Sequence, residues 1–133
     1  PNFVVTPRGG SLPIPKGAGE AVKTKVLQTY YPPNNGFLEG PTKTTLQPGT
    51  KIDRYGYPSG YYASPLGTPA EMRALPPGTI EKPYNIYEVV KPVNVMSGQV
   101  APWFGQTGLG TQYVLSQKIS DLLDSGSLRK VGP

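Results

Sequence analysis

"YNIYEVVKPVNVMSGQV" (84–100) decides the fold class. It is rich in β-branched and aromatic residues, and Pro92 interrupts it, so it reads as two strands with an edge or a bend between them. If 84–90 is one strand, Tyr84, Ile86, Glu88 and Val90 face one side and Asn85, Tyr87 and Val89 the other, because successive strand side chains alternate. Upstream, "TKIDRYGYPSGYYASP" (50–65) reads as a strand ending near Asp53-Arg54, a turn around Gly56-Tyr57-Pro58 and a second strand through Tyr61-Tyr62. Between these regions, "TPAEMRAL" (68–75) carries a helix start, with Thr68 as N-cap, Pro69 at the first helical position and Glu71 as capping-box partner. Pro76-Pro77 then stops that helix. Near the C-terminus, "SQKISDLLDSG" (116–126) places Ile119, Leu122 and Leu123 at helical spacing between Ser116 as a cap and Gly126 as a stop. "YPPNNGFLEGP" (31–41) is a surface turn segment marked by Asn35-Gly36, and residues 1–25 read as a short strand at Phe3-Val4-Val5 followed by an extended linker. The fold class is α+β: a compact, mainly antiparallel β-sheet domain with two short helices.

At 133 residues the chain fits one domain, and its beginning at Pro1 is read as that of a piece of a longer protein. It has no cysteine and no histidine. That excludes thiolate nucleophiles, disulfides, histidine general bases, catalytic triads built on histidine, and Cys/His metal sites; no metal site is expected. No apolar run approaches the roughly 20 residues of a membrane span. A formal charge of +5 favours anionic partners, but the lysines and arginines form no basic block, so nucleic acid is not the expected ligand.

The polar residues left to carry chemistry in the glycine- and aromatic-rich middle of the chain are Arg54, Tyr62, Arg73, Asn85, Glu88 and Gln112. A glycosidase-type pair of carboxylates would have to come from Asp53 and Glu88, whose separation the sequence does not give. A reaction better suited to this set cleaves a nicotinamide riboside bond. Its oxocarbenium-like transition state has a good leaving group already, so positioning and electrostatics do most of the work. Such a site needs arginines for a pyrophosphate, aromatic rings to stack on and an amide near the ribose or its attacking water. Each residue also has a plainer role open to it. Arg54 beside Asp53 fits a surface ion pair, Arg73 an exposed helix charge, Trp103 and Phe104 a core, Gln112 a solvated strand position, and Gly105, Gly108 and Gly110 ordinary turns.

Taken in order, "YYPPNNGFLEGP", "LQPGTKIDRYGYPSGYYASPLGTPAEMRALPP", "YNIYEVVKPVNVMSGQVAPWFGQTGLGTQY" and "ISDLLDSGSLRKV" resemble the tuberculosis necrotizing toxin family. The resemblance spans about 30–131, leaving 1–29 as a variable lead-in within a single domain over 1–133. It implies a fold distantly like ADP-ribosyltransferases. The activity it implies is that of an NAD⁺ glycohydrolase, splitting NAD⁺, or NADP⁺, into nicotinamide and ADP-ribose without a further cofactor. It implies export as the C-terminal domain of a larger protein, action in the cytoplasm of a target cell, and a cognate immunity protein as partner.

On this resemblance Arg54 of the D-R-Y-G block holds the diphosphate and Tyr55 lies beside the nicotinamide or ribose. Tyr62 closes the next strand, Arg73 of the R-A-L-P-P block is a second phosphate or ribose contact, and Gln112 orients the ribose or the attacking water. Gln112, Arg54 and Tyr62 are the expected catalytic residues, with Tyr55, Arg73, Asn85, Trp103 and Phe104 binding substrate. Asn85 stands where the tuberculosis toxin has a functional histidine, and an asparagine hydrogen-bonds but does not titrate. Two alternatives remain: a mono-ADP-ribosyltransferase, although its usual E-x-E motif is absent, and a non-catalytic nucleotide or polyanion-binding module.

Overall fold

The computed structural model describes residues 31–133, so the strand expected at Phe3-Val4-Val5 lies outside the described residues. Seven strands follow: β1 (Thr42–Leu46), β2 (Lys51–Tyr55), β3 (Tyr62–Pro65), β4 (Tyr84–Val89), β5 (Val93–Gln99), β6 (Thr111–Leu115) and β7 (Leu128–Gly132). Two short helices, α1 (Ala70–Arg73) and α2 (Ile119–Asp124), and two 3-10 turns, Asn34–Gly36 and Thr79–Glu81, complete the elements among the described residues. The strands form one sheet in the order β1-β5-β6-β3-β2-β4-β7, with every adjacent pair antiparallel. The α+β expectation from the strand-rich 84–100 run therefore holds, with the break at Pro92 falling between β4 and β5.

That break has a geometric consequence. Strands β4 and β5 are four steps apart in the sheet, which in a flat sheet is about 19 Å at the usual interstrand spacing. The chain from Val89 to Val93 reaches at most about 14 Å. The sheet must therefore curl, so that β1 and β5 approach β4 and β7 across its inner face. The hydrophobic core lies on that face: Leu46, Val93 and Val95 from one end, Ile52, Tyr87, Val89 and Leu128 from the other, with Ala63 and Leu115 between. Helix α2 adds Ile119 and Leu122, the two buried positions of its apolar stripe.

The helix boundaries differ from those expected. Helix α1 has no capping box: the Thr68 hydroxyl donates back to the Pro65 carbonyl at 2.8 Å, and no side chain caps the first turn. The helix ends at Arg73 because Ala74 adopts a left-handed conformation (φ 46°), before the prolines are reached. Ser116 does not cap α2. Instead the Ile119 and Ser120 amides donate to the Gly60 and Pro58 carbonyls, so the β2–β3 turn caps the helix from 60 residues upstream in the sequence. Gly126 takes the positive φ (80°) expected of a residue after a helix end. In the 31–41 segment Asn34 and Asn35 are exposed as expected, but Gly36 and Phe37 are buried, with Phe37 packed over Gly98.

The glycine-rich 101–110 segment is a clamp on α1. Gly108 and Gly110 amides donate to the Glu71 and Met72 carbonyls at 3.0 and 3.1 Å, and Gln106 Nε2 donates to the Leu75 carbonyl at 2.7 Å. The Glu71 and Met72 carbonyls are ones that a four-residue helix cannot satisfy internally. Gly110 is required by close approach: a Cβ there would lie 2.9 Å from the Met72 carbonyl oxygen and 3.0 Å from Thr68 Cγ2. Gly110→Ala is expected to destabilise the domain by about 1–3 kcal/mol through overpacking, read as a lowered Tm.

Candidate functional site

Alternation along each strand, combined with the register between strands, divides the candidate residues between the two faces of the sheet. Ile52 of β2 lies in the core, so Arg54 shares the core face, and its register partner Asn85 does too, in line with Tyr87 and Val89. Asp53 and Tyr55 take the opposite face, opposite Ile86 and Tyr84. On β3, Ala63 faces the core, which sends Tyr62 and Ser64 to the opposite face. On β6, Tyr113 and Leu115 pack with the core, which sends Gln112 and Val114 the other way. Gln112, Tyr62, Tyr55 and, through α1, Arg73 thus share one face. Arg54 and Asn85 belong to the other.

Arg73 is the structural centre of the shared face. Although it is the last residue of a short helix, it is only 6% exposed. Its Nη2 meets Asp53 Oδ1 at 2.7 Å, its Nε donates to the Thr68 carbonyl at 2.9 Å, and its guanidinium lies 5.1 Å from the centre of the Tyr55 ring. Asp53 is completely buried, with Oδ2 accepting from the Tyr84 hydroxyl at 2.6 Å and from the Gly67 amide at 3.0 Å. The Tyr55 and Tyr84 rings tilt against each other with centroids 4.8 Å apart. The Asp53-Arg54 ion pair that the sequence allowed is therefore replaced by a buried Asp53–Arg73 pair, because adjacent strand residues point to opposite faces. The other carboxylate weighed with Asp53, Glu88, pairs instead with Arg129 at 2.7 Å.

Burial first, and then the hydrogen bond to Asp53, push the Tyr84 phenol up to about 12. An unfolded tyrosine ionises near 10, so the folded chain holds this proton more tightly. The resulting stability is fully present below pH about 10 and is lost as pH rises through about 12. A spectrophotometric titration is expected to show a tyrosine ionising near pH 12 that disappears in Tyr84→Phe.

Gln112 is 8% exposed and its Nε2 donates to the Asn35 carbonyl at 2.9 Å. The Asn34–Gly36 turn that supplies this carbonyl closes on the amide, since a Cβ on Gly36 would lie 3.4 Å from Nε2. A carbonyl only accepts, so the nitrogen of Gln112 must face it. The carboxamide oxygen is left as an acceptor with no partner among the described residues.

Arg54 binds the turn that follows its own strand: Nε donates to the Tyr57 carbonyl and Nη1 to the Tyr62 carbonyl, both at 2.9 Å. Burial lowers its pKa, while neighbouring Tyr87 opposes the shift. Burial likewise raises the Tyr87 phenol, opposed by Arg54 and Asn85, so these three side chains are neighbours on the core face. Tyr62 itself is 39% exposed. Trp103 and Phe104 are half-buried in the segment that clamps α1, and Phe104 has a left-handed φ of 53°. The local sequence points to neither Tyr84 nor the Asn35 carbonyl, and it offers Asp53 only as one of a carboxylate pair or as an ion-pair partner of Arg54.

Residues 45–131 match the family model described as tuberculosis necrotizing toxin. The conidial surface nicotinamide adenine dinucleotide glycohydrolase of Aspergillus fumigatus is 42% identical over 117 residues, covering 77% of this chain and 50% of that protein. The chain thus spans about half the length of that curated relative. Among solved structures, tuberculosis necrotizing toxin complexed with its immunity factor matches with a TM-score of 0.63 and 28% identity, over 74% of this chain and 60% of that one.

Proposed function

The chain belongs to the tuberculosis necrotizing toxin family, and from that premise we propose that it is an NAD⁺ glycohydrolase. Water replaces nicotinamide at the ribose carbon of NAD⁺ or NADP⁺, releasing nicotinamide, the corresponding ADP-ribose and a proton. The observation that carries this reading is the shared sheet face, where an oriented carboxamide acceptor, Gln112, lies on the same side as a buried arginine flanked by tyrosine rings. No histidine or cysteine exists in the chain to act as base or nucleophile. A reaction with a cationic leaving group needs neither, because nicotinamide departs neutral and the positive charge develops on the ribose.

In this reading the Gln112 oxygen accepts from a ribose hydroxyl or from the attacking water, holding it against the developing oxocarbenium. Arg73 meets the diphosphate, and Tyr55 and Tyr62 offer ring faces to the nicotinamide ribose end. Trp103 and Phe104 belong to the segment that clamps the Arg73 helix and would close over the substrate. Arg54 acts on Tyr62 through the Tyr62 carbonyl rather than on the diphosphate, and Asn85 supports the sheet from its core face. The reaction uses no cofactor beyond its dinucleotide substrate.

The relative and the toxin structure described above point to a secreted or delivered protein that is neutralised in its producer by an immunity protein. Among the described residues no helix is long and apolar enough to cross a membrane. Incubating the purified chain with NAD⁺ and following nicotinamide and ADP-ribose by chromatography tests the activity. Catalytic release of both in equal amounts is expected. Absence of release from folded protein would overturn the reading, and ADP-ribose appearing on protein instead of in solution would make the chain a transferase.

A further inference from the structure

Four side chains on the site face close a ring of contacts. Asp53 is ion-paired with Arg73, Arg73 lies over Tyr55, Tyr55 packs on Tyr84, and the Tyr84 hydroxyl returns to Asp53. They come from β2, α1 and β4, so the ring joins the helix carrying Arg73 to two strands that run through the sheet. Helix α1 has only four residues and ends in a left-handed Ala74, so the helix by itself cannot fix the direction of a long, flexible arginine. The Thr68 carbonyl and Asp53 Oδ1 take two edges of the guanidinium and Tyr55 covers a face. Nη1 makes no hydrogen bond to the described residues, so that edge has no protein acceptor among them.

Asp53 Oδ2 receives two donors, the Tyr84 hydroxyl and the Gly67 amide, which hold the carboxylate in one orientation and so fix where Oδ1 meets Arg73. Tyr84 therefore acts on the arginine through the carboxylate, at two bonds' remove.

We propose that Asp53 and Tyr84 are positioning residues for Arg73, holding its guanidinium in the plane that receives the diphosphate. This rests on the glycohydrolase reading above for the identity of the ligand, while the ordering of Arg73 stands independently of it.

Asp53 variants risk unfolding the domain, so the decisive variant is Tyr84→Phe, which keeps the ring against Tyr55 and removes only the hydroxyl. Two readouts are needed. With arginine labelled in its guanidinium nitrogens, NMR measures the solvent exchange of the Arg73 N–H groups, assigned by their loss in Arg73→Lys. Steady-state kinetics with NAD⁺ separates KM from kcat. We expect exchange at Arg73 to accelerate about tenfold and KM to rise about tenfold with kcat within twofold, as for loss of one charge-assisted hydrogen bond. Unchanged exchange in folded Tyr84→Phe would overturn the proposal. Faster exchange with unchanged KM would overturn it equally, because Arg73 would then be ordered for the fold and not for substrate. If the wild-type chain released no nicotinamide, the glycohydrolase reading would fall and the diphosphate assignment with it. The exchange measurement would still decide whether Asp53 and Tyr84 order Arg73.

Discussion

Gln112→Ala is expected to lower kcat for NAD⁺ cleavage by at least about 10²-fold, with the chain still folded, as for removal of one preorganised polar group at a reacting centre. The Asn35 carbonyl fixes which end of the carboxamide faces inward, so the free end is an acceptor. Gln112→Glu separates this role from that of a base. A carboxylate cannot donate to the Asn35 carbonyl and would be repelled by it, so an oriented-acceptor role predicts that the glutamate variant is about as inactive as alanine. A glutamate variant retaining or exceeding wild-type turnover would mean that position 112 moves a proton, and the oriented-acceptor mechanism would be wrong. Circular dichroism on both variants guards against loss of fold, since each removes a buried hydrogen bond worth about 1 kcal/mol.

Asp53→Ala is expected to cost about 3–5 kcal/mol of folding stability, because it leaves the Arg73 guanidinium buried without its counter-charge. Domains of this size are stable by only about 5–15 kcal/mol, so the variant sits near the limit of folding. Arg73→Ala should cost a similar amount by stranding Asp53. The double variant should cost clearly less than the sum, since each single change already removes the pair. Urea denaturation of all four proteins gives this coupling. Additive losses would show that the two residues are not an energetic unit, and that Tyr84 and Gly67 alone hold the carboxylate.

The class of the fold was legible because strand alternation is local. The apolar parity of 84–90 alone placed Tyr87 and Val89 on one side of β4, and both lie in the core. The glycine spacing of 101–110 and the two arginines also stood out without coordinates. Helix ends were less legible, because the caps of both helices are contacts from distant segments: the β2–β3 turn meets the start of α2, and the 101–110 segment meets the end of α1. A local capping-box signature at Thr68 and Glu71 competes poorly with those tertiary bonds.

What the sequence by itself determined about this protein is its chemistry by exclusion, its sheet-dominated class and its family motifs. Without histidine or cysteine, the residue types left favour a reaction run by positioning. Only the tertiary structure decided which of those residues lie together. Alternation says that Asp53 and Arg54 point apart, but not which of them meets the core or which partner each receives. That depends on register between strands far apart in sequence and on the curl that brings β5 back toward β4. The carbonyl orienting Gln112 comes from Asn35, 77 residues away, and the carboxylate holding Arg73 comes from a different element. Such pairings follow from how a whole sheet closes around its core, and no short stretch of residues contains that information.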